Sequence, residues 1–367
     1  MLNMNKIVIS VVFVLALVVG GYFTDSSFHT KVNGMLAGHP TPAANGEAWD
    51  PAESTVSIKS GGRLASIIES KTVHAGVQNP SVPFYSIQNN RPKGFNVDFM
   101  SMLFAQSEFK GKIKVDTSDT VETYADLPKQ LLSNKKVDII IDGITFNNDD
   151  NPGVVYTIPY VKDFGYSLIT AKGNIITSTA DLAGGKIGVL KGDPDAKAFA
   201  ESAFPGVTIV ELSDKADANG KWIVGHIKSK TVDAVMYDYP FAVAEVEGTN
   251  LQFAITKIKG SDIKYSIGVH KEDTDLLAAL NSAIRKTIDM PEYADMLKTY
   301  FMSTNVAAVH RAGSGESSYI VVKGDTLSTI AQSQLGDRMK YTDLQSRNNL
   351  ANPNFIAVGQ KLIIPNK

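Results

Sequence analysis

Four aspartates stand where a carboxylate could meet a ligand. Asp142 follows the apolar run Val137–Ile141, and Asp238 follows Asp233–Tyr237, so each ends a segment that reads as a buried strand. Asp193 precedes Pro194 at a helix start, and Asp150 lies in the turn-rich stretch from Asn147 to Gly153. Carboxylates at strand carboxyl ends are well placed for binding, because open parallel sheets take their ligands there. Plain structural roles compete for some of them: Asp193 fits a helix N-cap with proline at the first helical position. Turn formation alone accounts for Asp149 and Asp150. The aromatic residues Phe84, Tyr85 and Tyr237 could stack on a ligand or fill the core.

Other chemistries lack their residues. Cysteine is absent, which excludes disulfides, thiolate zinc sites, a cysteine nucleophile and lipid attachment through an N-terminal cysteine. The histidines (His29, His39, His74, His226, His270, His310) are scattered with no pair at ligand spacing, so no metal site is expected. A calcium ion among the loop acids stays open, although their spacing matches no EF-hand. No acid pair, Ser-His-Asp set or phosphate loop stands out, so neither an enzyme nor a cofactor is expected. A net charge of -2 gives no basic footprint for nucleic acid.

The elements that must position these acids form an α/β pattern. Strand candidates include Thr72–Val77, Val137–Ile141, Lys186–Val189, Val207–Glu211 and Asp233–Tyr237, alternating with helix candidates Val97–Gln106, Tyr124–Ser133, Asp195–Ser202 and Thr274–Ile288. Mostly parallel sheets follow. Residues 1–23 hold an apolar run behind Lys6, long enough to cross a bilayer as one N-terminal transmembrane helix with the remainder outside. A cleaved signal peptide is the rival, since Val19-Gly20-Gly21 offers a small-residue site. Residues 24–61, with Gly, Pro, Ser and Ala, and 305–318, with Gly, Ser and Ala, read as linkers.

Residues 62–304 resemble the family 3, amino-acid-type periplasmic solute-binding proteins. The resemblance rests on an ordered set: Pro83-Phe84-Tyr85 with Gly94-Phe95-Asn96-Val97-Asp98, Leu127–Ile141, Thr157-Ile158-Pro159-Tyr160, Gly184–Gly192, Val232–Asp238, and Tyr265–Phe301. It implies a two-lobe periplasmic-binding-protein fold (type II), with lobe one at about 62–160 and 262–304 and lobe two at about 161–261. Ligand would be caught as the lobes hinge shut on crossovers near Tyr160–Phe164 and Thr256–Lys264. The implied ligand-binding residues are Phe84, Tyr85, Asp142, Gly143, Thr145, Asp150, Asp193 and Asp238.

The pocket departs from that family's pattern. Asn147 stands at the usual threonine position and Asp150 where the carboxylate-clamping arginine would fall, while lobe two reads Gly192-Asp193-Pro194 instead of a Gly-Thr or Gly-Ser turn. The aspartate that pairs an ammonium is retained as Asp238. Unpaired aspartates would repel an α-carboxylate in a partly desolvated site. A cationic or carboxylate-masked ligand is therefore expected, with loss of transport in favour of a scaffold, sensor or catalytic role as the alternative.

Residues 319–367 resemble a LysM domain with a β-α-α-β order. The match runs through Tyr319–Ala331, Asn348-Asn349-Leu350, Asn352-Pro353-Asn354 and Val358–Pro365. It implies a groove for N-acetylglucosamine-containing glycans lined by Gly324, Asp325, Thr326, Leu327, Asn352, Asn354, Phe355 and Ile356. A purely protein-contacting or degenerate copy is the alternative. The expected partners are peptidoglycan glycan strands, a small-molecule ligand, the membrane through the N-terminal helix, and an inner-membrane permease or envelope complex. The expected location is periplasmic or extracytoplasmic, anchored to the cytoplasmic membrane.

Overall fold

Two sheets, each wrapped by helices, carry the central region. The computed structural model describes residues 56–145, 150–174, 176, 179–215, 217, 220–303, 315–358 and 360–366, all within the unit Thr55–Lys367. The expected N-terminal membrane segment lies outside the described residues. Among those described, no helix is long and apolar enough to cross a membrane.

Lobe one opens with α1 (Arg63–Ser70), β1 (Thr72–Gln78), the hairpin β2 (Ser86–Gln88) and β3 (Arg91–Lys93), and α2 (Phe95–Leu103). It continues with β4 (Lys114–Asp116), β5 (Thr120–Val121), α3 (Leu127–Ser133), β6 (Ile139–Ile141) and β7 (Val154–Tyr156). The chain passes through β8 (Val161–Phe164) into lobe two: β9 (Tyr166–Ala171), β10 (Lys186–Leu190), α4 (Pro194–Ala203), β11 (Thr208–Leu212), α5 (Ile223–Lys228), β12 (Ala234–Asp238), α6 (Tyr239–Val246) and β13 (Leu251–Ile255). It returns through β14 (Ile263–Tyr265) to β15 (Ile267–His270), α7 (Thr274–Ile288) and α8 (Pro291–Phe301). The C-terminal module is β16 (Ser317–Ile320), α9 (Leu327–Leu335), α10 (Tyr341–Arg347) and β17 (Lys361–Ile364).

The lobe-one sheet runs β4-β1-β6-β15-β7, and the lobe-two sheet β11-β10-β12-β9-β13. β6 is three buried isoleucines in the middle of its sheet, as a strand covered on both faces requires. Each sheet carries one reversed strand. β15 is antiparallel to β6 and β7, and β9 to β12 and β13. Both follow a crossover, so they enter their sheet from the hinge side and run against the strands built by helical crossovers. The crossovers themselves pair, Ile263 opposite Phe164 and Tyr265 opposite Val161 in an antiparallel β8–β14 ladder. α7 shows why its sequence is helical: Leu276, Ala279, Leu280, Ala283 and Ile284 recur at helical spacing and are buried on one face.

The C-terminal module has its own core of Val321, Leu327, Ile330, Ala331, Leu335, Leu344, Leu350, Leu362 and Ile364. Thr326 caps α9 in a reciprocal arrangement with Thr329, and Gly336 ends the helix at a φ of 79°.

Candidate functional site

The acids of lobe two meet where β12 ends. Proline near the start of α6 stops the strand at Asp238, leaving its carboxylate at the strand's carboxyl end. The Tyr265 hydroxyl donates to Asp238 Oδ2 at 2.8 Å. Burial, with the neighbouring Asp193 carboxylate adding to it, pushes the Asp238 carboxyl up to about 7. Asp193 accepts the Ala196 N–H at 2.9 Å and so serves as the N-cap of α4. Burial raises its pKa as well.

Tyrosines from both lobes border these carboxylates. Burial first, and then the charges of Asp193, Asp238 and Asp195, raise the pKa of Tyr124 in lobe one and of Tyr166 in lobe two. The charges of the three acids thus reach both phenols, with Asp195 itself exposed to solvent. Trp222 meets Tyr237 edge to face at 5.3 Å, and Tyr237 lies 6.1 Å from Phe241. Among the described residues no lysine, arginine or histidine forms an ion pair with Asp142, Asp193 or Asp238.

Asp142 occupies a different place from Asp238. It is 1% exposed, behind Ser81, whose hydroxyl donates to Oδ1 at 2.6 Å; Oδ2 is buried without a hydrogen-bond partner. Burial pushes its carboxyl up to about 7. The Tyr160 hydroxyl donates to its backbone carbonyl at 2.6 Å, fixing the end of β6. At Gly143 a Cβ would lie 2.3 Å from Cε2 of Phe241. Phe241 of lobe two rests directly on this lobe-one glycine and stands 4.7 Å from Phe84.

Phe84 and Tyr85, which the sequence left open between stacking on a ligand and filling the core, are buried. Phe84 packs against Phe95, Tyr265 and Phe301, and the Tyr85 hydroxyl donates to Thr117 Oγ1 at 2.9 Å. A proline-aromatic loop under a helix offers more apolar area to cover than polar surface to expose, so its rings turn inward. Thr145 and Asp150 are exposed. The structure thus gathers Asp193 and Asp238 and adds Asp195, Tyr124, Tyr166 and Tyr265, which sequence reading missed. Asp238 at a strand end and Asp193 before Pro194 carried local signals; the added residues did not.

In the C-terminal module Gly324 and Thr326 are exposed, while Asp325 is tied into its turn by the Tyr319 hydroxyl at 3.0 Å and the Val322 N–H at 2.8 Å. Leu327 belongs to the module's core. Asn354 is exposed and Ile356 half-buried, but Asn352 is 1% and Phe355 6% exposed.

The sequence profile of the bacterial extracellular solute-binding proteins, family 3, matches residues 73–303. The chain belongs to this family. A LysM domain profile matches residues 319–365, so this solute-binding protein carries a LysM domain at its C-terminal side. It is 25% identical over 245 residues to the L-arginine-binding protein of Pseudomonas aeruginosa, covering 65% of this chain and 91% of that one. It is 24% identical over 273 residues to the ABC transporter glutamine-binding protein GlnH of Bacillus subtilis, covering 72% and 92%. A solved ancestral cationic amino acid solute-binding protein shares the fold, with a TM-score of 0.51 and 20% identity over 65% of this chain and 99% of that one.

Proposed function

We propose that this solute-binding protein works outside the cytoplasm and closes its lobes on a small ligand that is cationic or has its carboxylate masked. The reading rests on Asp193, Asp195 and Asp238, whose charges act on the half-buried phenols of Tyr124 and Tyr166, and on the absence of an ion-pair partner for Asp193 or Asp238 among the described residues. An ammonium or guanidinium would meet carboxylate charge and aromatic faces together, which reinforce one another once water is excluded. An α-carboxylate entering the same space would meet repulsion. An ABC permease would receive the ligand; the LysM domain would hold peptidoglycan, and the apolar segment behind Lys6 would tie the chain to the membrane.

Calorimetric titration with L-arginine, L-argininamide and cadaverine separates the alternatives, since the three differ in having, masking and lacking a carboxylate. Argininamide and cadaverine are expected to bind at least about tenfold more tightly than arginine, the cost of one unscreened like-charge contact. Equal or tighter binding of arginine sinks the reading.

A further inference from the structure

The loop between α10 and β17 lies across both crossovers of the solute-binding body. Asn349 presents its side-chain amide to lobe two as a strand would present a peptide. Its Oδ1 accepts the Thr256 N–H at 2.8 Å, and its Nδ2 donates to the Ala254 carbonyl at 3.2 Å. β13 is an edge strand, so this amide occupies hydrogen-bonding groups that an edge otherwise leaves open. The Thr256 hydroxyl, in a residue 0% exposed, bonds to the Asn349 carbonyl and Oδ1, both at 2.9 Å. Asn349 has a φ of 49°, a left-handed conformation that asparagine tolerates better than most residues.

The first crossover is gripped by the same loop. Asn352 donates to the Lys162 carbonyl across a long 3.5 Å, and the Phe355 ring stands edge to face with Phe164 at 5.8 Å. Ala351 and Phe355 belong to the apolar core that contains Phe164 and Tyr239, not to the LysM core. A ring spent on another domain's core is the mark of an intramolecular interface.

We infer that the loop from Asn349 to Phe355 is a clasp on the interlobe hinge. It holds the LysM domain in cis against both crossovers, and the wall formed by Asn352 and Phe355 is open to an outside glycan only when the clasp lets go. The masking half of this inference rests on the glycan-binding reading above; the clasp itself does not. Lobe rotation about β8 and β14 would alter the surface that the loop grips, so ligand closure and glycan capture are coupled through one contact.

Asn349→Gly in the full chain tests this, because glycine keeps the left-handed backbone and removes all the amide's bonds. Thr256→Val removes the hydroxyl from the other side. Hydrogen exchange at the Thr256 amide should quicken at least about tenfold in Asn349→Gly and less in Thr256→Val, while α9 amides stay protected. Retention on purified peptidoglycan should rise several-fold in Asn349→Gly. Unchanged exchange at Thr256 overturns the clasp. Equal, measurable retention of wild type and Asn349→Gly overturns the masking. If neither protein is retained while exchange quickens, the clasp stands and the glycan-binding reading falls.

Discussion

Asp238 and Asp142 both end strands, both have carboxyls raised to about 7 by burial, and only one borders the cluster of acids and phenols. Asp142 is closed off behind Ser81, and its Oδ2 is buried without a hydrogen-bond partner. Asp238 is half-buried, with Tyr265 donating to one oxygen. A cation selects the ionised carboxylate, which predominates above a pKa of about 7 and is lost as pH falls through it. Affinity for cadaverine should therefore fall as pH is lowered from 8 to 5.5, with a slope of up to about one decade per pH unit for each linked proton. Asp238→Asn should weaken binding at pH 8 by about thirtyfold, the loss of one charge-assisted contact of about 2 kcal/mol, and flatten the pH profile. Calorimetry at the two pH values checks both; a variant that binds like wild type removes Asp238 from the site.

At the scale of elements, the start of α6 makes a direct contact between the lobes. Pro240 ends β12 and starts the helix, and the next residue, Phe241, lands on Gly143 at the end of β6, where no Cβ fits. The family resemblance implies Gly143 as a ligand-binding residue; its geometry makes it a seat for a ring from the opposite lobe. Gly143→Ala should force that ring aside and hold the lobes apart. Small-angle scattering should report a larger radius of gyration, with ligand affinity reduced about tenfold or more, since an open population lowers apparent affinity in proportion. Phe241→Ala added to Gly143→Ala should restore compaction. If the single variant scatters like wild type, the ring is not gating the approach of the lobes.

At the scale of the whole molecule, the LysM domain and the hinge share a core through Phe355 and Ala351. Phe355 is 6% exposed, so truncation leaves a hole between domains and not within the LysM core. Phe355→Ala should cost about 3 kcal/mol of interdomain stabilisation. In scanning calorimetry this should separate a LysM transition from that of the body, whereas the wild type should melt with the two coupled. A single unshifted transition in the variant contradicts a shared core. A protein attached to membrane and wall, as proposed, would use such coupling locally and could not diffuse as a free carrier.

The sequence by itself determined the families and the positions of the strands and helices it named, because apolar periodicity, proline and glycine punctuation and caps act over a few neighbouring residues. Thr274–Ile288 and the turn at Gly324–Thr326 are legible for that reason. The departure from the family's carboxylate-clamp pattern is also expected from local sequence alone, at Asn147 and Asp150. Only the tertiary structure decided which acids share a space, that Phe84 and Tyr85 face inward, and that Asn349, Asn352 and Phe355 grip a hinge far away in sequence. Side-chain direction at a strand end and contact between separate domains depend on packing between distant segments, and no local pattern encodes either.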